Sequence, residues 1–245
     1  MKVLLFPTCL PDLFFPSAVQ AAERVLARAG CTVDFRRQAV CCGQPAWNSG
    51  HVAEARRVAS GALDALAGSE PIILCSGSCS TMIHEYWPEL FEGTRWARAA
   101  EDAAHRVREF SAFVADELGV ESLGPARLSR HTVVGYHDSC HMMRMLGITD
   151  APRRLLGHIE DLEVRELAAS TRCCGFGGTF SIRYPEVSAA MGDEKVDDVV
   201  AHDIDVLVAS DLGCLMHICG RAGARGVRVR GSHVAEILDE AMETT

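Results

Sequence analysis

The stretch Cys173-Cys174-Gly175-Phe176-Gly177-Gly178 has a counterpart in Cys41-Cys42-Gly43, 132 residues earlier in the chain. Two further pairs of cysteines repeat in the same order, at offsets of 131 and 135 residues: Cys9 with Cys140, and Cys79 with Cys214. Three landmarks at nearly one offset indicate an internal duplication. We therefore predict two similar halves, residues 1–125 and residues 126–245.

Apolar runs alternate with helical patterns in both halves. Lys2–Phe6 and Thr132–Tyr136 are predicted strands that each precede a repeated cysteine, and Ser17–Ala29 carries apolar residues at helical spacing. Strands that alternate with helices are typical of parallel sheets covered on both faces. The predicted fold class is therefore α/β, with two pseudo-symmetric repeats, each a Rossmann-like parallel sheet with flanking helices.

Four further elements are predicted with definite bounds. We expect a long helix at Trp96–Leu118 that joins the halves, and strands at Leu162–Leu167, Val206–Ala209 and Val227–Arg230. In parallel α/β sheets the loops that leave the carboxyl ends of the strands build the functional site. Most of the repeated cysteines fall in such loops.

The composition is that of an ordinary globular protein, apart from its eleven cysteines. The net charge of −9 argues against a nucleic-acid partner, because phosphate binding needs clustered Lys and Arg. Neither a signal peptide nor an integral membrane segment is evident, so we expect a cytoplasmic protein in which disulfides are rare. Metal ligation, redox chemistry or simple burial remain as roles for the thiols.

Each half offers four repeated thiols, which is the ligand count of an iron–sulfur cluster or of a structural zinc site. The candidate ligands are Cys9, Cys41, Cys42 and Cys79 in the first half, and Cys140, Cys173, Cys174 and Cys214 in the second. Cys75 is a further candidate, since it lies four residues before Cys79. Cys31 and Cys219 have no counterparts and are predicted to be plain thiols.

Zinc is the main alternative metal, because His137, Cys140 and His141 form a local group that could suit it. Adjacent cysteines, however, fit poorly into a short zinc motif. His137 is also a candidate catalytic proton donor to a 2-hydroxy or 2-keto acid, and the alternative is a structural histidine held by hydrogen bonds.

Several segments together resemble the cysteine-rich CCG-domain family of iron–sulfur proteins. They are Phe6-Pro7-Thr8-Cys9, Tyr136-His137-Asp138-Ser139-Cys140-His141, Cys173-Cys174-Gly175-Phe176-Gly177-Gly178-Thr179-Phe180-Ser181 and Asp211-Leu212-Gly213-Cys214-Leu215-Met216-His217-Ile218. The family includes the cysteine-rich subunit of heterodisulfide reductase and the iron–sulfur subunit of glycolate oxidase. The match is strongest to its lactate-utilisation group.

The resemblance implies an iron–sulfur electron-transfer subunit, with one or two clusters of the 4Fe-4S type, in a complex that oxidises L-lactate to pyruvate. The implied partners are the other subunits of that complex, including a ferredoxin-like iron–sulfur subunit. Another 2-hydroxy-acid oxidase, a heterodisulfide reductase-like complex and a zinc-stabilised scaffold or regulator remain as alternatives. The heterodisulfide reductase relatives end each motif in Cys-x-x-Cys, whereas this chain has Cys75-x-x-x-Cys79 and then Cys214 alone.

Overall fold

A computed structural model describes residues 1–36 and 41–243 and contains two four-stranded parallel sheets. The first sheet holds β1 (Lys2–Leu5), β2 (Thr32–Phe35), β3 (Ile72–Leu74) and β4 (Val107–Glu109). The second holds β5 (Arg127–His137), β6 (Glu160–Arg165), β7 (Val206–Ala209) and β8 (Arg230–His233). The strand orders are β2-β1-β3-β4 and β6-β5-β7-β8. The second order is the first repeated, so the predicted fold class of two Rossmann-like repeats is confirmed.

Helices cover both sheets. Those of the first half are α1 (Cys9–Phe14), α2 (Pro16–Arg28), α3 (Gln44–Trp47), α4 (Val52–Leu63), α5 (Gly77–Thr81), α6 (Trp87–Leu90), α7 (Ala97–Arg106) and α8 (Phe110–Ala112). The second half has α9 (Cys140–Met145), α10 (Asp150–Gly157), α11 (Thr179–Arg183), α12 (Pro185–Ala201), α13 (Leu212–Ala224) and α14 (Val234–Glu243). Within residues 1–36 and 41–243, no helix has the length and apolar character that crossing a membrane requires.

The two halves share one apolar core. Val25 of α2 and Phe113 belong to the same buried cluster as Val208 of β7 and Leu238 of α14. At the edge of this cluster the buried Asp239 receives hydrogen bonds from Arg24 and Arg28. Burial of apolar surface contributes roughly 25 cal/mol per Å², so a core that draws on both halves ties their stabilities together.

The predicted long helix at Trp96–Leu118 is wrong. Helix α7 ends at Arg106, and Val107 then begins β4, which pairs in parallel with β3 through Ile72 and Val107. The sequence of β4 has a weak strand pattern of three residues. Its conformation is set by the ladder to β3 and by burial of Val107 and Glu109, and such tertiary contacts override local propensity.

Two strands of the second half lie elsewhere than predicted. The expected strand at Val227–Arg230 is wrong, because β8 begins only at Arg230 and pairs with β7 through Ala209 and His233. The apolar Val227 and Val229, which suggested a strand, pack against the core just before the ladder starts. Strand β6 also begins two residues earlier than the predicted Leu162–Leu167.

Glu109 is a buried carboxyl group at the end of β4. Its Oε2 accepts hydrogen bonds from the amides of Ser111 and Ala112, whereas its Oε1 has no partner among the described residues. Burial raises the pKa of Glu109 from an ordinary 4.5 to about 7, and the nearby Asp211 carboxylate adds to the shift. The folded protein therefore favours the protonated form of this side chain.

This raised pKa predicts a pH-dependent stability. Stability linked to the bound proton is present below about pH 4.5 and is lost as the pH rises towards 7, because the unfolded chain releases the proton first. Glu109→Gln mimics the protonated form, so urea denaturation should show a gain on the order of 2–3 kcal/mol over the wild type at pH 8 and a much smaller gain at pH 5. The exposed control Glu101→Gln should show no such difference, and an equal gain at both pH values for Glu109→Gln would contradict the assignment.

Candidate metal centre

All eight repeated cysteines line one cleft of about 560 Å³ at the carboxyl ends of the strands. The cleft lies between the halves, since its walls come from both. Its thiols are those of Cys9, Cys41, Cys42, Cys79, Cys140, Cys173, Cys174 and Cys214. All eleven cysteines of the chain are free thiols. The structure thus brings together the side chains that the repeat pattern singles out.

In the first half, the four thiols come from three segments. Cys9 is the first residue of α1, and Cys79 lies in α5, the helix that follows β3 in the chain. The Sγ atoms of Cys42 and Cys79 are 3.3 Å apart, and the Gly43 amide donates to the Sγ of Cys41 at 3.4 Å. Loops at the ends of neighbouring strands converge in this way because the strands are parallel.

The second half repeats the arrangement. Cys140 is the first residue of α9, and Cys214 lies in α13, the helix that follows β7 in the chain. The Gly175 amide donates to the Sγ of Cys173 at 3.4 Å, and the Phe176 amide donates to the Sγ of Cys174 at 3.5 Å. Backbone amides aimed at sulfur are the groups that stabilise thiolates and tune the potential of a bound cluster.

Burial divides each set of four in the same manner. The second cysteine of each adjacent pair and the last repeated cysteine of each half are buried: Cys42, Cys79, Cys174 and Cys214. The remaining four are partly exposed: Cys9, Cys41, Cys140 and Cys173. Each half therefore has two thiols at the floor of the cleft and two nearer to solvent.

One thiol of each adjacent pair has a strongly depressed pKa. Hydrogen bonds from Cys42 and Cys9 lower the pKa of Cys41, and hydrogen bonds from Cys140 and Cys174 lower that of Cys173. The thiols of each half thus share protons, and a thiolate is favoured at the same position in both. Thiolate, rather than thiol, is the form that binds metal.

The turn after each cysteine pair requires glycine. Gly43 and Gly175 have φ angles of +90° and +89°, a region that side chains rarely adopt. A Cβ atom at Gly175 would lie 2.7 Å from the carbonyl oxygen of Ser188, and one at Gly43 would lie 2.8 Å from that of Ala55. The backbone of α4 therefore packs directly against the first turn, and that of α12 against the second.

Asp211 connects the two halves beside the cleft. Its carboxylate accepts a hydrogen bond from the Cys214 amide at 3.2 Å and caps α13, and it also accepts one from the Ser78 amide of the first half at 2.8 Å. Ser76 and Asp211 form an antiparallel bridge. Asp211 was not among the predicted functional residues, although an Asp three residues before Cys214 is the pattern of a helix N-cap.

Cys75, Cys31 and Cys219 lie apart from the cleft. Cys75 and Cys31 are buried in the apolar core. Cys219 lies on α13 and is not among the described residues that line the cleft. The structure does not bring Cys75 together with the other thiols of its half, so a ligand role for Cys75 stays a prediction that the geometry disfavours.

His137 lies behind the cleft rather than in its wall. It ends β5 and is 1% exposed, and it does not belong to the residues that line the described cleft. Burial, together with the positive charge of Lys195, lowers the pKa of His137 to about 3, so its ring is neutral. A role as proton donor to a substrate stays a prediction.

Lys195 is a buried cation that the sequence analysis missed. Its Nζ donates to the carbonyl oxygens of Ala169 and Ser170. On α12 it shares the inward face with Ser188, Gly192 and Val199, and this helical spacing could have identified it. A cation near the floor of the second thiol set favours negative charge on those sulfurs.

The arrangement suits a metal that prefers sulfur. Eight convergent thiols, two favoured thiolates and backbone amides directed at sulfur are the features of a soft-metal site. Among the described residues that line the cleft, Asp211 alone carries a carboxylate, whereas hard cations such as Mg²⁺ prefer oxygen ligands. Fold and site together define a duplicated α/β protein with a thiol-lined, metal-binding cleft.

The chain belongs to the CCG family of cysteine-rich domains. The family model matches residues 3–84 and residues 134–227, one match in each half. The matched regions contain all eight cysteines of the cleft.

Two curated relatives are similar over nearly the whole chain. "Lactate utilization protein A 1" of Bacillus cereus strain AH820 and "Lactate utilization protein A" of Bacillus thuringiensis strain Al Hakam are each 43% identical over 240 residues. Each match covers 98% of this chain and 99% of the relative. A crystal structure of a hypothetical protein from Helicobacter pylori matches 98% of this chain with a TM-score of 0.65 and 12% identity. This chain spans 49% of that protein, and the likeness concerns the fold alone.

The turn at Gly175 gives a prediction about the stability of the protein. Gly175→Ala should lower the free energy of unfolding by roughly 2 kcal/mol or more, because a positive φ and a backbone contact both oppose a side chain there. Urea denaturation of the reduced protein measures the change. Gly157→Ala is the matched control, since nothing lies within 4 Å of an added Cβ at that position. Equal effects for the two variants would contradict the role of the turn.

Proposed function

We propose that this chain is an iron–sulfur electron-transfer subunit of a system that oxidises L-lactate to pyruvate. In this proposal, residues 1–125 and 126–245 each hold one cluster, of the 4Fe-4S type. Cys9, Cys41, Cys42 and Cys79 are the ligands of the first cluster, and Cys140, Cys173, Cys174 and Cys214 are those of the second. The clusters, when bound, supply one-electron redox chemistry.

The observation that carries the proposal is the convergence of two matching thiol sets on one cleft. Four thiolates are the usual protein ligand set of an iron–sulfur cluster. A structural zinc site also uses four protein ligands, but such sites are closed. Two of them would give no role to the shared open cleft of about 560 Å³. Two redox centres that share one cleft, in contrast, would give the cleft a role as the place where a partner exchanges electrons with both.

The choice of lactate follows from the relatives. Two proteins named for lactate utilisation match 98% of this chain at 43% identity, and neither has more than a few residues beyond the match. A chain of the same length with the same duplicated fold is therefore proposed to work in the same process. Another 2-hydroxy acid in place of lactate would use the same thiol sets.

A chain with clusters alone needs a source and a sink for electrons. We propose that it works in the cytoplasm with the other subunits of a lactate-oxidising complex, including a ferredoxin-like iron–sulfur subunit. The exposed apolar residues Leu13 and Phe14 on α1, together with Ile182 on α11, lie on two of the helices that line the cleft and suit the docking of such a subunit.

Growth provides the test of the process. Deletion of the gene in its own organism should abolish growth on L-lactate as sole carbon source and leave growth on pyruvate unchanged. The wild-type gene should restore growth, and a gene with Cys174→Ser should not. Full growth of the deletion strain on lactate would overturn the lactate assignment.

Cluster loading provides the test of the cofactor. The chain purified without oxygen should be brown and contain iron and sulfide, and Cys174→Ser should lose about half of the iron, because one of two centres loses a ligand. Cys31→Ser is the control, since Cys31 lies in the apolar core and should leave the iron content unchanged. A colourless protein that contains zinc would contradict the proposal.

A further inference from the structure

His137 has a buried ring without a hydrogen-bond partner. Both ring nitrogens are shielded from solvent, and neither makes a hydrogen bond within the described structure. A buried polar group left unsatisfied costs about 1–3 kcal/mol. Such a group in a native protein calls for an explanation, and an unseen ion is one of the standard explanations.

The ring lies against two thiols of the second half. Donor atoms of His137, Cys174 and Cys214 all lie within 4.8 Å of one another, and all three residues are buried. Imidazole nitrogen and thiolate sulfur are compatible ligands of the same metals, iron and zinc among them. The neutral ring has a lone pair available for a metal.

Neighbouring polar groups are already engaged. Asp138 accepts two hydrogen bonds from the guanidinium group of Arg153, at 2.9 and 2.8 Å. The Ser170 carbonyl favours a protonated ring, but its oxygen already accepts hydrogen bonds from the Asp138 amide and from Lys195 and makes none of good geometry with a ring nitrogen. Lys195 is a cation and repels a protonated ring. None of these groups offers the ring a good partner of its own.

The first half has no equivalent of this ring. The strand register of β1 with β3 and of β5 with β7 places Phe6 where the second half has His137, three residues before Cys9 and Cys140 respectively. Phe6 is fully buried in the apolar cluster that also contains Cys42 and Cys79. The two thiol sets match, but their surroundings differ by one nitrogen donor.

We propose that a ring nitrogen of His137 is a ligand of the metal centre in the second half, together with Cys174 and Cys214. The proposal rests on the iron–sulfur function proposed above. It refines the second ligand set, in which the imidazole takes the place of one of the two thiolates nearer to solvent, Cys140 or Cys173. The two centres of the chain are then chemically different, with four thiolates in the first half and three thiolates and one imidazole in the second. Exchange of thiolate for imidazole is known to change the potential of an iron–sulfur centre, so the two centres should titrate separately.

Pulsed EPR on the full chain tests the ligand directly. The protein is purified without oxygen from cells grown with ¹⁵N-histidine and is reduced before measurement. The wild type should show the hyperfine coupling of a nitrogen bonded to the cluster. His137→Phe, which copies the first half, should remove this coupling, shift the potential of one centre only, and release iron to a chelator at least about tenfold faster.

His141→Phe is the matched control, because the Nδ1 of His141 lies 3.7 Å from the Sγ of Cys140 and is a second imidazole donor beside the same thiol set. It should retain the coupling. His137→Asn serves if the phenylalanine variant does not fold, and it should also lack the coupling. Iron-loaded wild type without a bonded nitrogen, or loss of the coupling in His141→Phe instead, would overturn the ligand assignment alone. A chain that takes up no iron and sulfide would overturn the proposed function and this assignment with it.

Discussion

The contact between Ser76 and Asp211 determines how the rest of the molecule is arranged. These residues follow β3 and β7, the equivalent strands of the two halves, and they form an antiparallel bridge. The buried carboxylate of Asp211 receives amide hydrogen bonds from Ser78 of one half and Cys214 of the other. A charge-assisted hydrogen bond of this kind is roughly twice as strong as a neutral one. One side chain thus holds the last cysteine segment of each half at a common edge.

The repeated thiol sets face each other because of that contact. Parallel sheets direct their carboxyl ends to one edge, and the bridge sets the two edges against each other. Gly43 and Gly175 then allow the cysteine pairs to turn into the cleft, with a helix backbone packed against each turn. The tight packing leaves little room for variation at these two glycines.

The fold class and the eight cysteines of the cleft could be predicted because repetition is a strong signal. Matched offsets for Cys9, Cys42 and Cys79 required no knowledge of packing. Strand β4 could not be predicted in this way, because Val107–Glu109 has only a weak strand pattern of three residues and is ordered by its ladder to β3. The unpaired ring of His137 was equally hidden, since a sequence shows a histidine but not whether its nitrogens find partners. Closeness along the chain is a weaker signal than repetition: Cys75 lies four residues before Cys79 but is buried in the apolar core, so its ligand role stays a prediction.

The bridge between Ser76 and Asp211 also has a meaning for the origin of the protein. The two residues occupy equivalent places in the repeat, and an antiparallel pairing of equivalent residues has the local symmetry of an isologous dimer interface. A half-length ancestor could have made the same contact with a second copy of itself, but both subunits would then have carried identical residues at every position. Fusion of the two genes removed that restriction. A fused chain can carry a serine on one side of the interface and an aspartate on the other, and a phenylalanine in one half where the other half has a histidine.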